Sequence, residues 1–216
     1  MKVVAHKQIY YDPSVFTAIE TIDDAVRVIV TPEAGLTSQR RWDTETLYLL
    51  GLIERWLKPK SLVLDYGCGI GRLAKPLVEK YHCDVIGVDL SPNMRALAAS
   101  YVESNCFAVV PPDMLYAINH HFWKCDFALA VWTLQHALDL MQEINRIEMA
   151  LRDGGKLFVV NNINRVVPIA GGWIDDGIDV RTVLKDCFTE LECGKLSDEI
   201  APGVFRENTF WAIYQK

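Results

Sequence analysis

Residues 61–72, Ser-Leu-Val-Leu-Asp-Tyr-Gly-Cys-Gly-Ile-Gly-Arg, join a short apolar run to an acid and then to three glycines on alternate positions. The run from Ser61 to Leu64 suits a parallel strand buried on both faces. Gly67, Gly69 and Gly71 let the backbone turn sharply and approach a ligand, because a Cβ there would take ligand space. The segment therefore reads as a strand running into a nucleotide-binding loop. A dinucleotide fingerprint, G-x-G-x-x-G, would need glycine at position 72, where Arg72 stands. The spacing argues against NAD.

Three further apolar runs end in residues that can carry chemistry. Residues 83–94 run into Asp89 and then Leu90, 24 positions after Asp65, about where a β-α-β unit places a ribose-binding carboxylate. Residues 107–114 run through Pro111 and Pro112 to Asp113 and Met114, and residues 125–136 run to Trp132, Gln135 and His136. In an open α/β sheet, ligands bind outside the carboxyl ends of the strands where strand order reverses, so Asp65, Asp89, Asp113 and Trp132 are expected to converge on one crevice.

The order of these segments, with Leu151-Arg-Asp-Gly154-Gly155-Lys-Leu following, resembles the motif series of the class I S-adenosylmethionine-dependent methyltransferases over residues 61–161. Asp153 stands where that family more often has proline. The resemblance implies S-adenosyl-L-methionine as cofactor, with Asp89 on the ribose hydroxyls and Asp113 and Met114 near the adenine. It implies Gly67, Cys68, Gly69 and Gly71 along the loop, Leu90 beside Asp89, and Trp132 near the sulfonium. Asp65 would meet the methionyl amino group or hold the loop in shape. The Leu-x-His turn of the family's small-molecule branch makes His136 a candidate base, or a side chain that bonds the backbone. In-line methyl transfer to a polar small molecule is the implied activity; a non-catalytic binding module and a protein methyltransferase are the alternatives. The fourth strand ends in Trp132-Thr133-Leu134-Gln135 rather than Asn-Pro-Pro-aromatic, which speaks against methylation of a flipped base.

The resemblance also implies the fold class: a doubly wound, mostly parallel seven-stranded α/β sheet, Rossmann-like, with an antiparallel final strand. An N-terminal helical cap and helix would occupy residues 1–60, the cofactor core 61–161, and an acceptor-side segment with the last strands 162–216. Trp42, Leu49, Leu50, Ile53, Trp56 and Leu57 recur at helical spacing, which makes Trp42 core rather than a lid. Helices are expected over 72–80, from Ser91 and Pro92 to Val102, from about Asp139 to Leu151 with its stop at Gly154-Gly155, and over 179–186. The pattern loosens after Asn161. Residues 161–179 mix amide, cationic, aromatic and acidic groups, which suits a polar acceptor or a solvated loop.

With 216 residues, 50% of them hydrophobic, the chain can bury a full core as one domain. A net charge of -6 and a pI near 5.4 give no footprint for a nucleic-acid backbone, and Arg40-Arg41 is too small a cluster to change that. The first residues lack the unbroken apolar stretch of a signal peptide, and no long apolar run suggests a membrane span, so a cytoplasmic location is expected. The six cysteines sit singly, and none forms Cys-x-x-Cys, so small buried thiols are expected rather than bridges or zinc ligands. His120-His121 lacks a carboxylate at ligand spacing and reads as surface; no metal site is expected.

Overall fold

The structure, a computed structural model, describes residues 13–16, 18–31, 36–120, 123–169, 172–201 and 203–216. Five parallel strands form the body of the sheet: β1 (Leu62–Tyr66), β2 (Asp84–Val88), β3 (Phe107–Val110), β4 (Cys125–Val131) and β5 (Leu151–Asn162). A hairpin, β6 (Asn164–Ile169) and β7 (Gly172–Asp179), stands apart from the sheet, which β8 (Thr189–Gly194) and β9 (Thr209–Gln215) complete. The order is β3-β2-β1-β4-β5-β9-β8, with β9 antiparallel to both neighbours. Strand order reverses between β1 and β4. The chain thus has the doubly wound, mostly parallel seven-stranded sheet expected of it.

Period-two alternation sorts the strand side chains into two layers. Leu64, Tyr66, Ala128, Ala130, Leu157 and Val159 face one layer; Val63, Phe127, Leu129, Phe158 and Val160 face the other. Asp65 shares a face with Val63, so neighbours Asp65 and Tyr66 point to opposite sides of the sheet.

The helices are α1 (Ile22–Ile29), α2 (Ser38–Ile53), α3 (Ala74–Glu79), α4 (Pro92–Val102), α5 (Met114–His120), α6 (Leu140–Ala150) and α7 (Val180–Cys187). Their starts are capped locally: Thr37 Oγ1 accepts from the Arg40 amide, Ser91 Oγ from Met94, and Asp139 Oδ1 from Gln142. Trp42 is core, buried with Ile19, Ala25, Val30, Ile70 and Met94. Among the described residues no helix is long and apolar enough to cross a membrane. His121 and the side chain of His120 lie outside the described residues.

Three expectations need correction. Gly154-Gly155 does not stop α6, which ends at Ala150 because Leu151 turns to extended backbone and buries completely. The glycine pair lies instead in an irregularity of β5, where the register jumps from Cys125↔Leu151 to Phe127↔Lys156. The segment after Asn161 is not a loose loop but the β6–β7 hairpin, missed because Pro168 and the Gly171-Gly172 pair look like strand breakers. All six cysteines are free, but Cys106 and Cys193 are exposed rather than buried.

Two glycines offer opposite outcomes on unfolding in urea. A Cβ at Gly155 would stand 2.8 Å from the Arg152 carbonyl oxygen, so Gly155→Ala should cost about 1–3 kcal/mol. Gly51 is an exposed α2 residue whose Cβ would meet nothing within 4 Å, so Gly51→Ala should add about 0.5–1 kcal/mol. Equal effects of the two changes would contradict the packing described.

Candidate cofactor site

After β1 the chain turns through Gly67, Gly69 and Gly71 at φ of 77°, 55° and 84°, a region that favours glycine. The bare faces of these glycines meet protein. A Cβ on Gly67 would fall 2.1 Å from Thr133 Oγ1, one on Gly69 2.5 Å from Ile29 Cδ1, and one on Gly71 2.5 Å from Val102 Cγ2. The reason given for all three glycines, that a Cβ would take ligand space, is therefore corrected. Gly71 serves the approach of α4, Gly69 that of the cap, and Gly67 that of the segment leaving β4.

Asp89 closes the loop. Its Oδ2 accepts from the Gly69 amide at 2.8 Å and its Oδ1 from the Ser91 amide at 2.8 Å, which joins the glycine turn to the start of α4. The Val88 carbonyl takes the Gly67 and Cys68 amides, and Arg95 donates to the Asp89 and Leu90 carbonyls. Leu90 then stands 82% exposed, an apolar side chain with no core to enter. Cys68 is buried in the turn, and burial pushes its thiol up.

Asp65 is buried behind the loop. It accepts from the Ala74 amide at the start of α3, while its Oδ2 has no hydrogen-bond partner among the described residues. Burial first, then the charge of Asp89, push its carboxyl up to about 7, against the Ala74 amide and Arg72. Asp65 and Asp89 thus do come together.

Of the other two strand-end residues, Trp132 turns to a helix of the cap side and Asp113 stands in solvent at the end of β3. Trp132, at a left-handed φ of 58°, sends its indole to α2, where Nε1 donates to Glu45 Oε1 at 2.7 Å. It is Thr133 that meets the glycine turn. Glu45 is buried and also binds Arg72 at 3.3 Å and Arg41 at 3.2 Å. Asp113 lies between β3 and α5 with its carboxylate in solvent, 2.8 Å from the buried Arg146 of α6; Met114 beside it is half exposed.

Sequence reasoning missed Glu45, Arg72, Thr133 and Ile29 as parts of this site. Arg41 and Glu45 did carry a signal: two charges four apart on the buried stripe of α2.

The turn Leu134–His136 is fastened to β5 and the hairpin. Gln135 accepts from the Asn162 amide at 2.7 Å, and its own amide N–H donates to Asn161 Oδ1 at 3.1 Å. With its oxygen so engaged, the Gln135 side-chain amide donates to His136 Nε2 at 3.0 Å, and His136 Nδ1 then donates to the Val166 carbonyl at 2.9 Å. Both ring nitrogens are engaged, the ring packs on Trp173, and burial pulls its pKa down. Arg165 ties the hairpin to the same turn, donating to the Ala137 and Leu138 carbonyls while it pairs with Asp176. Among the described residues, no group of three or more His, Cys, Asp or Glu side chains could hold a metal ion.

Residues 64–159 match the family described as "Methyltransferase domain". The chain carries a class I S-adenosylmethionine-dependent methyltransferase domain. Phosphoethanolamine N-methyltransferase 2 of Caenorhabditis elegans is 31% identical over 51% of this chain and 26% of its own length. The ubiquinone biosynthesis O-methyltransferase of Bradyrhizobium diazoefficiens is 31% identical over 48% of this chain and 40% of its own. The chain thus spans well under half the length of these relatives. Among solved structures, the [4+2]-cyclase SpnF aligns over 81% of this chain and 82% of that one, at 16% identity and a TM-score of 0.65. Coclaurine N-methyltransferase bound to N-methylheliamine and S-adenosylhomocysteine covers 86% of this chain and 64% of that one, at 14% identity and a TM-score of 0.62. At such identities the two structures speak for the fold.

The raised Asp65 carboxyl makes stability depend on pH. From its ordinary 3.8 up to about 7, the folded protein keeps a proton that the unfolded chain has lost. The contribution is full below pH 4 and is lost as pH rises to 7. Asp65→Asn should therefore gain stability relative to the parent between pH 5 and pH 8 in urea melts. A difference that stays flat with pH would contradict the burial of this carboxylate.

Proposed function

We propose that this chain binds S-adenosylmethionine along the ends of β1, β2 and β3 and catalyses in-line transfer of its methyl group to a polar small molecule. The observation that carries the reading is the glycine turn closed by Asp89, with the unpartnered oxygen of Asp65 buried beside it. The donor set fits the cofactor. Asp65 Oδ2 is an acceptor without a donor, which suits the methionyl ammonium. Each Asp89 oxygen takes one backbone N–H and keeps a lone pair for a ribose hydroxyl. Leu90, Met114 and Asp113 offer two apolar walls and a carboxylate to the adenine.

Bound S-adenosylmethionine supplies a methyl group on a sulfonium, which is already an excellent leaving group. The protein's task is to hold the acceptor in line and exclude water, and orientation alone can reach effective molarities of about 10⁵ to 10⁸ M. The acceptor belongs between the turn that follows Trp132 and the β6–β7 hairpin. Gly67, Cys68 and Gly69 shape the methionyl side of the site, while Gly71 acts through α4 and Trp132 through its bond to Glu45. His136 works as a positioning residue, since its lone pair is already taken by Gln135. The names of the two relatives given above, a phosphoethanolamine N-methyltransferase and a ubiquinone biosynthesis O-methyltransferase, favour a small acceptor.

Calorimetry tests the cofactor. S-adenosylhomocysteine should bind in the micromolar range, about -8 kcal/mol, and NAD should not. Asp89→Ala should weaken binding by about 1–3 kcal/mol. Binding of NAD in place of S-adenosylhomocysteine would overturn the reading.

Labelled methyl transfer to fractionated cell extract tests the acceptor, with label expected among small metabolites. Label confined to protein or nucleic acid would remove that half of the proposal. Once an acceptor is found, His136→Ala should lower thermal stability and turnover together, with no selective fall of about 10² or more in single-turnover rate, the mark of a base.

A further inference from the structure

The β6–β7 hairpin is a two-stranded sheet of its own, so no ladder joins it to the main sheet. Beyond its base, where the Ile163 carbonyl takes the Val180 amide, it is fastened to the turn that follows β4. Arg165 reaches the Ala137 and Leu138 carbonyls, His136 Nδ1 donates to the Val166 carbonyl, and the His136 and Trp173 rings meet edge-on with centroids 4.7 Å apart. The histidine bond is one link of a chain whose direction is set at its far end. The Asn162 amide is a backbone N–H and can only donate, so Gln135 turns its oxygen there at 2.7 Å and presents its NH2 to His136 Nε2 at 3.0 Å. Nε2 must then hold the lone pair and Nδ1 the hydrogen, which is what the Val166 carbonyl, 2.9 Å away, requires. A proton on Nε2 would set two N–H groups against each other. Turning the Gln135 amide over gives no relief, because its NH2 would then meet the Asn162 N–H. The chain closes only with His136 neutral.

We propose that Gln135 is a positioning residue: it holds His136 in the one tautomer that docks the hairpin, so that a single proton on His136 releases the hairpin from the acceptor side of the site. That the hairpin borders an acceptor rests on the reading above; its fastening does not. Burial acts in the same direction, pulling the pKa of the docked ring below its ordinary 6.5 against the Val166 carbonyl. The charged groups on the elements packed around the ring have partners of their own. Arg165 pairs with Asp176, Asp175 accepts from Asn164 and the Gly177 amide, and Asp139 and Asp179 cap α6 and α7. Burial raises the Asp176 carboxyl, Arg165 outweighs it, and the net shift is downward, so this pair stays charged where the histidine titrates.

Hydrogen exchange of the hairpin amides, referred to those of β4 and β5 in the same sample, tests this without a ligand. The released ring takes a proton that the docked ring refuses, so hairpin opening in the parent should grow about tenfold per pH unit below 6.5. Gln135→Glu should reverse the slope. Its carboxylate still accepts from the Asn162 amide but turns an acceptor to Nε2, so the docked ring needs the proton and the hairpin opens as pH rises. A merely structural Gln135 would give a Gln135→Glu variant that is looser at every pH with the parent's slope, which overturns the proposal. Hairpin exchange in the parent that stays flat with pH overturns it as well. If Gln135→Glu does not fold, nitrogen NMR of the parent's histidine rings decides: His136 must be neutral at pH 7 with its hydrogen on Nδ1, and the Nε2–H tautomer would refute the chain. Neither measurement uses a ligand, so failure of S-adenosylhomocysteine to bind would count against the cofactor reading alone.

Discussion

One buried carboxylate, Glu45, ties together three segments far apart in sequence. It is 1% exposed and meets Arg41 from its own helix, Arg72 from the exit of the glycine turn, and the Trp132 indole from the end of β4. Removing charges from water costs several kcal/mol per ion, and only close pairing with further hydrogen bonds offsets it. The surroundings go most of the way: Arg72 Nε donates to Thr46 at 2.8 Å and the guanidinium lies 5.3 Å over the Trp42 ring, while Arg72 Nη2 has no hydrogen-bond partner among the described residues. Glu45 thereby fixes α2 against both sides of the point where strand order reverses. The left-handed backbone of Trp132, a strain of about 1–3 kcal/mol, persists because its indole is anchored there and its amide donates to Val160.

Two polar networks lie on opposite faces of the sheet and share one strand. Asp65 faces α3 and the glycine turn, while Tyr66, its neighbour, faces α6 and bonds Glu143. A shift of β1 along its axis would move both at once. The ends of β4 and β5 have a separate fastening, the reciprocal bonds of Gln135 with Asn161 and Asn162, from which His136 reaches the hairpin.

The parallel strands were legible because burial on both faces forces a continuous apolar run, and an acid after such a run stands out. Asp65 and Asp89 were found that way. The hairpin was not, because Asn164-Arg-Val-Val-Pro-Ile and Gly172-Trp-Ile-Asp-Asp-Gly show neither a continuous apolar run nor strict alternation and contain turn formers. Glycines mark where the backbone needs room without saying what fills it: at Gly67 it is Thr133, 66 positions downstream, and at Gly69 it is Ile29, 40 upstream. The direction of the Trp132 indole depended on Glu45, 87 positions earlier, which no local pattern could supply.

The contacts on the three glycines extend the motif beyond its own letters. Ile29, Val102 and Thr133 each press a small side-chain group onto a residue that has none. Substitution to a bulkier residue at any of these positions would push the turn as surely as adding a Cβ within it. The size of the loop is therefore inherited jointly by six positions spread over more than a hundred residues, and drift at the three outside the motif is bounded by volume rather than by chemistry.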